Sequence, residues 1–435
     1  MSFFNETIET ATRPQLEEYQ FTHFKKLLGT VSELNRFYKT KYEKAKVDLS
    51  AIRSLKDIIT LPFTDKKEFE KDQLSNPLYG TTLTEPMENY VQYHQTTGTT
   101  GKPLRMLDTR ESWEWRARCA CYILAAAGVT KKDTVLLAFN FGPYTAFWVI
   151  YEGAYRTGSL VIPTGGWTTE QRLSCIYENQ VSVVVGTPTY ILRLAAAAKE
   201  QGLDARTADV HTLILSGERG ATDPSLRAKI CSAWDATCFD YVGLTEVGTW
   251  GFQCDRSPSA IHINEAEFIA EIIDPKSGKD VPPGEEGELV LTNLGRSCNP
   301  AIRFRTHDIV KEMKDRCECG RVFRLLDGGI LGRQDEMVKI RGINLFPSSI
   351  GLIIERHLNP GDEYQIVAYR EGDRDQIEIA IEKEGSGEAL HQFKSRLQAE
   401  LKNEFNLSLD IRTVLKGSLP RYEYKAKRFV DRRQR

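Results

Sequence analysis

The sequence predicts an α/β protein: a large N-terminal domain with parallel or mixed sheets covered by helices, followed by a small α+β C-terminal domain. Apolar strands alternate with helical segments from about residue 110 to residue 240, as in repeated βα units. The pattern changes to hairpins between about 260 and 313. A charged segment of ~100 residues with its own strand and helix patterns follows Asp335. We therefore expect domains over residues 1–334 and 335–435.

The βα units follow one another in a regular order. Short apolar runs predict buried strands over 134–139, 160–163, 181–185, 212–216 and 237–240. Helical patterns cover 112–128, 144–157, 169–178, 188–201 and 223–234, and Gly128, Gly158 and Gly202 mark the ends of three of them. Residues 216–218 and 240–246 follow predicted strands. Because open α/β sheets bind ligands at the carboxyl ends of their strands, we expect a nucleotide site there.

Residues 1 to about 60 are helical in pattern and rich in charge. Apolar residues recur at roughly helical spacing over 27–42, with Lys and Glu between them. Such a segment fits a helical arm or part of a homodimer contact, and the sequence does not choose between the two.

Composition excludes several classes of function. The chain has 435 residues, 41% of them hydrophobic, which is enough for a large globular domain and a smaller one. Its net charge of −2 gives no electrostatic reason to expect nucleic acid or an anionic membrane as a partner. No run is apolar enough to span a bilayer, and residues 1–13 lack the order of a signal peptide. We expect a cytoplasmic protein.

The nine cysteines are odd in number and spread through the chain. That pattern does not predict a disulfide framework. In a reducing compartment the cysteines are expected to be free thiols or metal ligands.

The run from Thr96 to Pro103 is the most informative stretch. It contains Thr96, Thr97, Gly98, Thr99, Thr100, Gly101 and Lys102. Glycine allows a sharp turn close to a ligand, while Thr hydroxyls, backbone N–H groups and a Lys can surround an anion such as a polyphosphate. It is not a Walker A loop, because the Gly-x-x-x-x-Gly-Lys-Ser/Thr spacing is absent. A flexible hairpin turn between two strands is the alternative.

This run resembles the phosphate loop of the adenylate-forming enzymes, the superfamily of acyl-CoA synthetases. Three later segments resemble its other motifs in the same order: 241–246, 303–308 and 332–342. The phenylacetate–CoA ligase branch is the most similar, through His94 before the loop, the segment 341–347 and the ending 419–428. The resemblance covers about 61–431, and several motifs in register make it specific.

The resemblance implies an adenylate-forming fold with a mobile small domain and a set of ATP-binding residues. The run 96–102 would hold the β- and γ-phosphates of ATP, and Glu246 would hold Mg²⁺. Thr245 would bond the α-phosphate or the acyl carboxylate. Asp308 would accept hydrogen bonds from the ribose, supported by Arg333. The residues expected around the adenine are Ser216, Gly217, Glu218, Asp240, Tyr241 and Gly243, with Tyr241 offering a stacking face.

Lys425 lies in a basic tail that is otherwise typical of a solvated chain end. The family places its adenylation lysine in a Gly-Lys-x-x-Arg context, and this chain has Tyr424 where the family has glycine. The resemblance makes Lys425 the lysine that neutralises charge at the α-phosphate. Asp335 would be the hinge of the small domain.

A structural zinc site is predicted from four residues. Cys317 and Cys319 form a Cys-x-Cys pair, and Cys254 and His262 precede it, giving a Cys₃His set. The alternative is free surface thiols. The pair Cys119 and Cys121 lies in a predicted apolar helix, and we assign it to the core instead.

The acyl pocket is the feature about which the sequence says least. The residues after the strand that ends near 140 are aromatic, and we expect Phe141, Tyr144 and Phe147 to border the pocket. Bulky side chains there would shape a pocket for a flat ring or shorten it. Trp148 is expected to pack a helix into the core.

The resemblance implies a two-step ligase. ATP activates a carboxylic acid, aryl or small acyl, as an acyl-adenylate, and coenzyme A then takes the acyl group and releases AMP. One alternative keeps adenylation but passes the acyl group to a carrier-protein thiol or an amine. A second alternative is a non-catalytic nucleotide- or zinc-binding protein, against which the presence of Glu246, Asp308 and Lys425 counts.

Overall fold

The computed structural model describes residues 2–96, 103–218, 220–334, 338–340, 343–359, 362–371, 374–383, 387–405, 407, 409–421 and 428–433, without the side chains of 339, 343, 344 and 374. Some predicted functional residues lie outside these ranges. They are Thr97, Gly98, Thr99, Thr100, Gly101 and Lys102 of the Thr/Gly run, the hinge Asp335, Arg341 and Gly342 after it, and Lys425.

The N-terminal segment forms helices that pack on the rest of the same chain. They are α1 (Glu6–Glu9), α2 (Arg13–Leu34), α3 (Arg36–Ala45) and α4 (Lys66–Ser75), with 3-10 helices at Leu49–Ala51, Leu55–Thr60 and Met87–Asn89. The helical pattern over 27–42 is split at buried Asn35, whose Oδ1 accepts from the Tyr38 N–H at 3.1 Å and caps α3. Apolar residues of α2 and α3 pack against Ile269 and Leu294. This face of the helices is therefore buried within the chain.

A hairpin carries the Thr/Gly run. Strands β1 (Tyr90–Gln95) and β2 (Arg105–Thr109) pair antiparallel, and helix α5 (Arg110–Ala126) follows directly. The Thr96 N–H donates to the Leu104 carbonyl at 3.0 Å, and the Leu104 N–H donates to the Thr96 hydroxyl at 3.1 Å. These bonds bring the residues on either side of the run, Thr96 and Leu104, together.

The predicted βα units form an eight-stranded sheet covered by helices. The elements are β3 (Thr134–Leu137), α6 (Thr145–Thr157), β4 (Leu160–Pro163), α7 (Thr169–Glu178), β5 (Val183–Gly186), α8 (Pro188–Glu200), a 3-10 helix at Ala205–Thr207, β6 (Thr212–Leu215), α9 (Pro224–Trp234), β7 (Thr237–Leu244), β8 (Gly248–Phe252) and β9 (Ala260–Ile263). Five strands run parallel in the order β4-β3-β5-β6-β7, and β8 and β9 extend the sheet antiparallel. The prediction of a largely parallel sheet is confirmed.

The hairpin region forms a second sheet. Its strands are β10 (Phe268–Ile273), β11 (Glu286–Asn293), β12 (Phe304–Lys311) and, after β13 (Leu325–Asp327), β14 (Gly332–Arg333). The order is β10-β11-β12-β14, all antiparallel, while β13 joins the first sheet beside β9. This sheet lies under the N-terminal helices, and its apolar side chains share a core with β8 and β9.

The C-terminal part is an α+β unit with its own core. It contains β15 (Val338–Ile340), β16 (Ile343–Leu345), α10 (Pro347–His357), β17 (Tyr364–Glu371), β18 (Arg374–Glu382), α11 (Glu388–Phe405), β19 (Asp410–Val414) and β20 (Phe429–Asp431). The sheet order is β19-β18-β17-β20, and Ile350, Ile379 and Leu397 are fully buried against it. The domain boundary after residue 334 remains a prediction.

One side chain of the large domain caps a helix of the small one. The Lys229 ammonium donates to the carbonyls of Glu355, Arg356 and Leu358 at the C-terminal end of α10, at 2.7, 3.0 and 3.2 Å. A cation at this end also opposes the negative end of the helix dipole. No described helix is both long and apolar enough to cross a membrane.

Candidate active site

The loops after β6 and β7 lie next to each other, as their position at the carboxyl ends of neighbouring strands requires. The Ser216 hydroxyl donates to the Tyr241 carbonyl at 2.9 Å. Gly217 has φ +88°, a left-handed conformation that glycine adopts without strain. Glu218 accepts from the Thr189 hydroxyl at 2.7 Å. Three residues predicted to border the adenine are thus placed together.

The turn after β7 carries Thr245 and Glu246. It follows Gly243, where a Cβ atom would lie 2.9 Å from the Thr249 Cα and 3.0 Å from the Gly248 carbonyl. Glycine is therefore needed for β8 to approach β7 this closely. The turn presents Thr245 half-buried and Glu246 buried, so the two residues form a fixed edge of the candidate site.

Glu246 is paired with a lysine that we did not single out from the sequence. The Lys66 ammonium, on the first residue of α4, lies 3.0 Å from the Glu246 Oε1 atom. The Glu246 side chain is 5% exposed and that of Lys66 is 36% exposed. A buried carboxylate needs a cation beside it, and Mg²⁺ with a substrate phosphate fits the same oxygen ligand. The residues present therefore fit the metal that the resemblance implies.

A buried charge cluster anchors this turn. The Asp108 carboxylate at the end of β2 accepts from Arg116 of α5 at 2.9 Å and from Arg296. Arg116 also donates to the Thr245 carbonyl at 2.9 Å, and Arg296 donates to the Glu246 carbonyl at 3.1 Å and to the Leu107 carbonyl at 3.1 Å. The hairpin of the Thr/Gly run and the Thr245–Glu246 turn are thus tied to one carboxylate.

Asp108 is charged despite its burial. Burial alone would raise the pKa of the Asp108 carboxyl, but Arg116 and Arg296 hold that pKa below its usual value. The sequence did contain a signal for a buried charge, because Arg116 interrupts an otherwise apolar helix face. The location of its partners, 8 and 129 residues away, could not be derived from that signal.

Asp308 and Arg333 are brought together by strand register. They are opposite partners on β12 and β14, and Arg333 Nη1 donates to Asp308 Oδ1 at 2.9 Å. Asp308 is buried, and its place on a strand fixes the carboxylate. The geometry agrees with the expectation that these two residues act together.

His307 links the Asp308 strand to the helix that carries Lys66. Its Nε2 lies 2.9 Å from Asp65 Oδ2, and its Nδ1 lies 3.2 Å from Glu288 Oε1. Hydrogen bonds to Asp65 and Glu288 raise the pKa of His307 to about 9, and the bond from His307 lowers the pKa of Asp65 to about 2. His307 has φ +61°, so the backbone is strained at the residue before Asp308.

Tyr241 does not offer a stacking face in this structure. Its ring is 3% exposed and packs in the core with Phe239 and Phe252. Successive side chains of a strand point to opposite faces, so Val242 rather than Tyr241 turns toward the other, partly exposed side of β7. Asp240 is also buried, and its Oδ2 accepts from the Thr222 N–H at 2.9 Å. Asp240 and Tyr241 therefore lie in the core and support the loops from beneath.

His94, which precedes the Thr/Gly run, is buried and stacks on Trp113 with ring centroids 5.0 Å apart. Burial and the nearby Arg116 lower the pKa of His94 to about 4, so the ring is neutral at pH 7. It packs the hairpin near the Thr96 end of β1 and carries no charge there.

The aromatic residues of the predicted acyl pocket take different positions. Phe141 lines an open cavity of about 590 Å³ together with Tyr151, Pro163 and Gly165. Phe147 stacks on Phe139 with centroids 4.2 Å apart, between α6 and the sheet. Tyr144 is the residue before α6.

The expectation that Trp148 packs into the core is wrong. It is 39% exposed, its indole N–H donates to the Gly142 carbonyl at 2.9 Å, and its ring lines the same open cavity as Phe141. Helix α6 buries a different face, through Val149 and Ile150. The cavity therefore has an aromatic wall that the helix leaves outside the core.

The four predicted zinc ligands come together. One ligand atom from each of Cys254, His262, Cys317 and Cys319 lies within 4.8 Å of all the others, and all four residues are buried. The Cys254 and Cys317 sulfurs are 3.5 Å apart, and the Cys319 sulfur is 3.4 Å from His262 Nε2. Ligands around a tetrahedral zinc lie about 3.8 Å apart. Burial excludes the alternative of surface thiols, and buried Cys119 and Cys121 belong to the core as expected.

Comparison with known families decides the class of enzyme. The model of the AMP-binding enzyme family matches residues 32–295, and that of the AMP-binding enzyme C-terminal domain matches residues 342–433. The chain belongs to the AMP-binding enzyme family. The resemblance seen in its motifs is thereby confirmed.

Several known proteins are similar to this chain over almost its whole length. A phenylacetate-coenzyme A ligase of Escherichia coli (strain K12) is 31% identical over 98% of this chain and 97% of its own length. One from Thermus thermophilus is 28% identical over 98% of this chain and 99% of its own length. The structure of 2-hydroxyisobutyryl-CoA ligase with 2-HIB-AMP in the postadenylation state is 25% identical, covers 99% of this chain and 93% of that one, and has a TM-score of 0.92.

These findings establish an AMP-forming acid–thiol ligase. ATP activates a carboxylic acid as an acyl-adenylate, and coenzyme A then takes the acyl group. The TM-score falls to 0.75 for the same 2-hydroxyisobutyryl-CoA ligase with 2-HIB-AMP and CoA in the thioesterification state, at 26% identity over 99% of this chain and 93% of that one. The arrangement described here therefore resembles the postadenylation state.

Asp108→Asn is expected to destabilise the large domain. The amide would leave Arg116 and Arg296 buried without a counter-charge, which costs about 3–5 kcal/mol of unfolding free energy. All six tryptophans lie in residues 113–250, so tryptophan fluorescence during urea denaturation measures this domain. Asp204→Asn removes an exposed pair with Arg206 and is the control, for which little change is expected. Equal midpoints for the two variants would contradict the anchoring role.

The ion pairs of His307 predict a loss of stability in alkali. Its pKa is raised from 6.5 to about 9, so its contribution is complete below pH 6.5 and is lost as the pH rises through 9. His307→Asn, which tolerates the left-handed backbone, should show a smaller fall in urea midpoint between pH 6.5 and 10 than the wild type. His391→Asn on the exposed face of α11 should fall like the wild type. Parallel curves for His307→Asn and wild type would refute the assignment.

Proposed function

We propose that the acid activated by this ligase is compact, with a short branched chain or a single ring. The observation that carries this proposal is the Phe139–Phe147 stack, which packs α6 against the residues that follow β3. Rings packed at this position shorten the space that a long acyl chain would need. Two of the similar proteins are named as ligases of phenylacetate and of 2-hydroxyisobutyrate, and both of these acids are compact.

We propose the following roles for the ATP-binding residues. The run 96–102, which follows β1 in the sequence, binds the β- and γ-phosphates. Asp308 accepts hydrogen bonds from the ribose, held in place by Arg333. Thr245 bonds the α-phosphate or the acyl carboxylate. The residues that border the adenine are Ser216, Gly217, Glu218, Asp240 and Gly243, with Tyr241 supporting them from the core.

Glu246 is proposed to hold Mg²⁺ through its carboxylate. When bound, the ion would neutralise phosphate charge, a role suited to a hard cation with oxygen ligands. The backbone of Glu246 is held by Arg296, and its side chain is buried.

The chemistry needs two steps because a carboxylate is a poor electrophile. A carboxylate oxygen of the acid attacks the α-phosphorus, and the bond to the β-phosphate oxygen breaks and releases pyrophosphate. The coenzyme A thiolate then attacks the carbonyl carbon and releases AMP. We propose that Lys425 serves the first step, that the segment at Arg341 and Gly342 serves the second, and that Asp335 is the hinge between them.

We also propose a structural zinc at Cys254, His262, Cys317 and Cys319. Four protein ligands leave no open position for a substrate, which is typical of structural zinc. The site joins β9 to the loop before β13, so the metal would fix that edge of the large sheet.

The proposal is tested by acid-dependent release of pyrophosphate with ATP and Mg²⁺. The panel contains 2-hydroxyisobutyrate, benzoate, phenylacetate, hexanoate and decanoate, each with and without coenzyme A. We expect turnover of the compact acids, a thioester only when coenzyme A is present, and no turnover of decanoate. In Phe147→Ala the pocket lengthens, so kcat/KM for hexanoate and decanoate should rise relative to benzoate.

Two controls define the result. Tyr155→Ala changes an aromatic side chain on the same helix that is 67% exposed, and it should leave the acid preference unchanged. Lys425→Ala should lower pyrophosphate release by a factor on the order of 10²–10³. Preference for decanoate in the wild type would overturn the compact-acid proposal, and pyrophosphate release without thioester would indicate a carrier-protein or amine acceptor.

Zinc content is measured on the purified chain. We expect one mole of zinc per mole of protein by elemental analysis, lost together with thermal stability after chelation, because the buried sulfurs and His262 would lose their common ligand. Cys319→Ser should lose the metal, whereas Cys121→Ser, which changes a core thiol away from the site, should keep it. A metal-free preparation with the same melting temperature would contradict a structural role.

A further inference from the structure

Helix α9 of the large domain and helix α10 of the small domain are joined by a lysine. The Lys229 ammonium on α9 donates to the carbonyls of Glu355, Arg356 and Leu358, and its three N–H donors match these three acceptors. The last carbonyls of a helix lack donors from a following turn, so a cation from another element satisfies them well. The large domain therefore supplies a C-terminal cap to a helix of the small domain.

An ion pair joins the same two helices. Asp223 caps α9 with its Oδ1 atom, which accepts from the Leu226 N–H at 2.9 Å, and its Oδ2 atom lies 3.2 Å from Arg356 Nη2. Arg356 is also held within the small domain, since its Nη1 atom lies 3.1 Å from Glu400 Oε1. We call the two contacts, Lys229 with the end of α10 and Asp223 with Arg356, the α9–α10 latch.

The large-domain side of the latch is rigid and adjoins the loop proposed to border the adenine. That loop, residues 216–223, connects β6 to α9, so Asp223 is its last residue. The Thr222 N–H donates to the buried Asp240 carboxylate, and α9 packs into the core through Ile230 and Trp234. The place where α10 rests on α9 therefore sets where the small domain stands relative to the nucleotide.

The position of the small domain matters because the two half-reactions need different parts of it. Lys425, proposed for the first step, and the segment 341–342, proposed for the second, both belong to the small domain. The arrangement described here resembles the postadenylation state of 2-hydroxyisobutyryl-CoA ligase more closely than its thioesterification state. A contact made in only one of two arrangements shifts the population toward that arrangement.

The latch is also built so that it can open. Lys229 is half-buried and the Arg356 side chain is 40% exposed, so water can replace the partners of both cations. Asp223 keeps its bond to the Leu226 N–H when Arg356 leaves. Opening therefore leaves no buried charge without a partner.

We propose that Lys229 is a positioning residue for the adenylation step. Together with the Asp223–Arg356 pair, it holds the small domain in the arrangement described here, and the latch is released before coenzyme A takes the acyl group. The inference rests on the proposed role of Lys425 and on the proposed swing of the small domain about Asp335. It assigns the balance between the two half-reactions to residues that contact neither the acid nor the nucleotide phosphates.

The test uses two latch variants and a matched control. Lys229→Met removes the ammonium and keeps an unbranched side chain of similar helix propensity. Asp223→Asn removes the charge that pairs with Arg356 and keeps a good N-cap residue. Lys26→Met makes the same change as the first variant at an exposed lysine of α2. Thermal denaturation of each variant checks that it is folded.

The two half-reactions are measured separately with an acid that turns over. In Lys229→Met we expect acid-dependent pyrophosphate release to slow on the order of tenfold, because charge-assisted hydrogen bonds that favour the adenylation arrangement are lost. Thioester formation from the preformed adenylate and coenzyme A should equal or exceed the wild-type rate. Asp223→Asn should shift the two rates in the same directions by a smaller factor, since its ion pair is partly exposed. Lys26→Met should behave as wild type.

Hydrogen exchange gives a readout that does not depend on the acid. With Mg²⁺ and AMP, the amides of α10 (347–357) should take up deuterium faster in Lys229→Met than in the wild type, because the helix spends more time away from α9. The buried strand 377–381 of the small domain should exchange at the wild-type rate in both proteins, which shows that the small domain stays folded.

Two results would overturn the proposal. Equal slowing of both half-reactions in Lys229→Met would show that the lysine only stabilises the fold. Wild-type exchange at α10, or an unchanged ratio of the two half-reaction rates, would show that the latch does not bias the small domain. Failure of the wild type to use any acid in the panel would count against the proposed substrate, and the exchange experiment with AMP would still test Lys229.

Discussion

Two buried arginines share one buried aspartate beside the candidate ATP site, and the segments around that site depend on this cluster. Asp108 ends the hairpin strand, Arg116 lies on α5, and Arg296 follows β11. The spare N–H groups of the arginines bind the carbonyls of Thr245 and Glu246. Because a buried charge must be paired and hydrogen-bonded, this cluster has few alternative geometries. The β1–β2 hairpin and the Thr245–Glu246 turn therefore keep a fixed distance from each other.

A second set of charges joins the N-terminal helices to the strand that carries Asp308. His307 holds Asp65 and Glu288, and the next residue on its strand is Asp308. The strained backbone at His307 is tolerated because those ion pairs over-determine its position. Through Lys66 and Asp65, the N-terminal helices contact both Glu246 and the strand of Asp308. The N-terminal helices are thus packed into the rest of the chain and do not form a separate arm.

The parts of the fold that depend on local pattern were predicted from the sequence. The helix over 169–178 and the strand over 160–163 have the predicted ends, because apolar periodicity and turn residues act over a few positions. Predictions that depended on side-chain direction failed. Tyr241 and Trp148 are both large and aromatic, yet the first is buried and the second is exposed, since strand alternation and the packing face of α6 decide which way each ring points. Asn35 likewise divides a continuous helical pattern because its amide is needed between α3 and the Thr82 carbonyl.

The sequence by itself determined the family, the order of the βα units and the set of four candidate zinc ligands, because ordered motifs and residue types carry that information without coordinates. Only the tertiary structure decided which distant residues meet. Lys66 and Glu246 are 180 positions apart, Asp108 and Arg296 are 188 apart, and neither pair has a spacing that a pattern could reveal. The physical reason is that a buried charge selects its partner by proximity in the folded chain. That proximity is set by the packing of sheets and helices and leaves no periodic trace in the sequence.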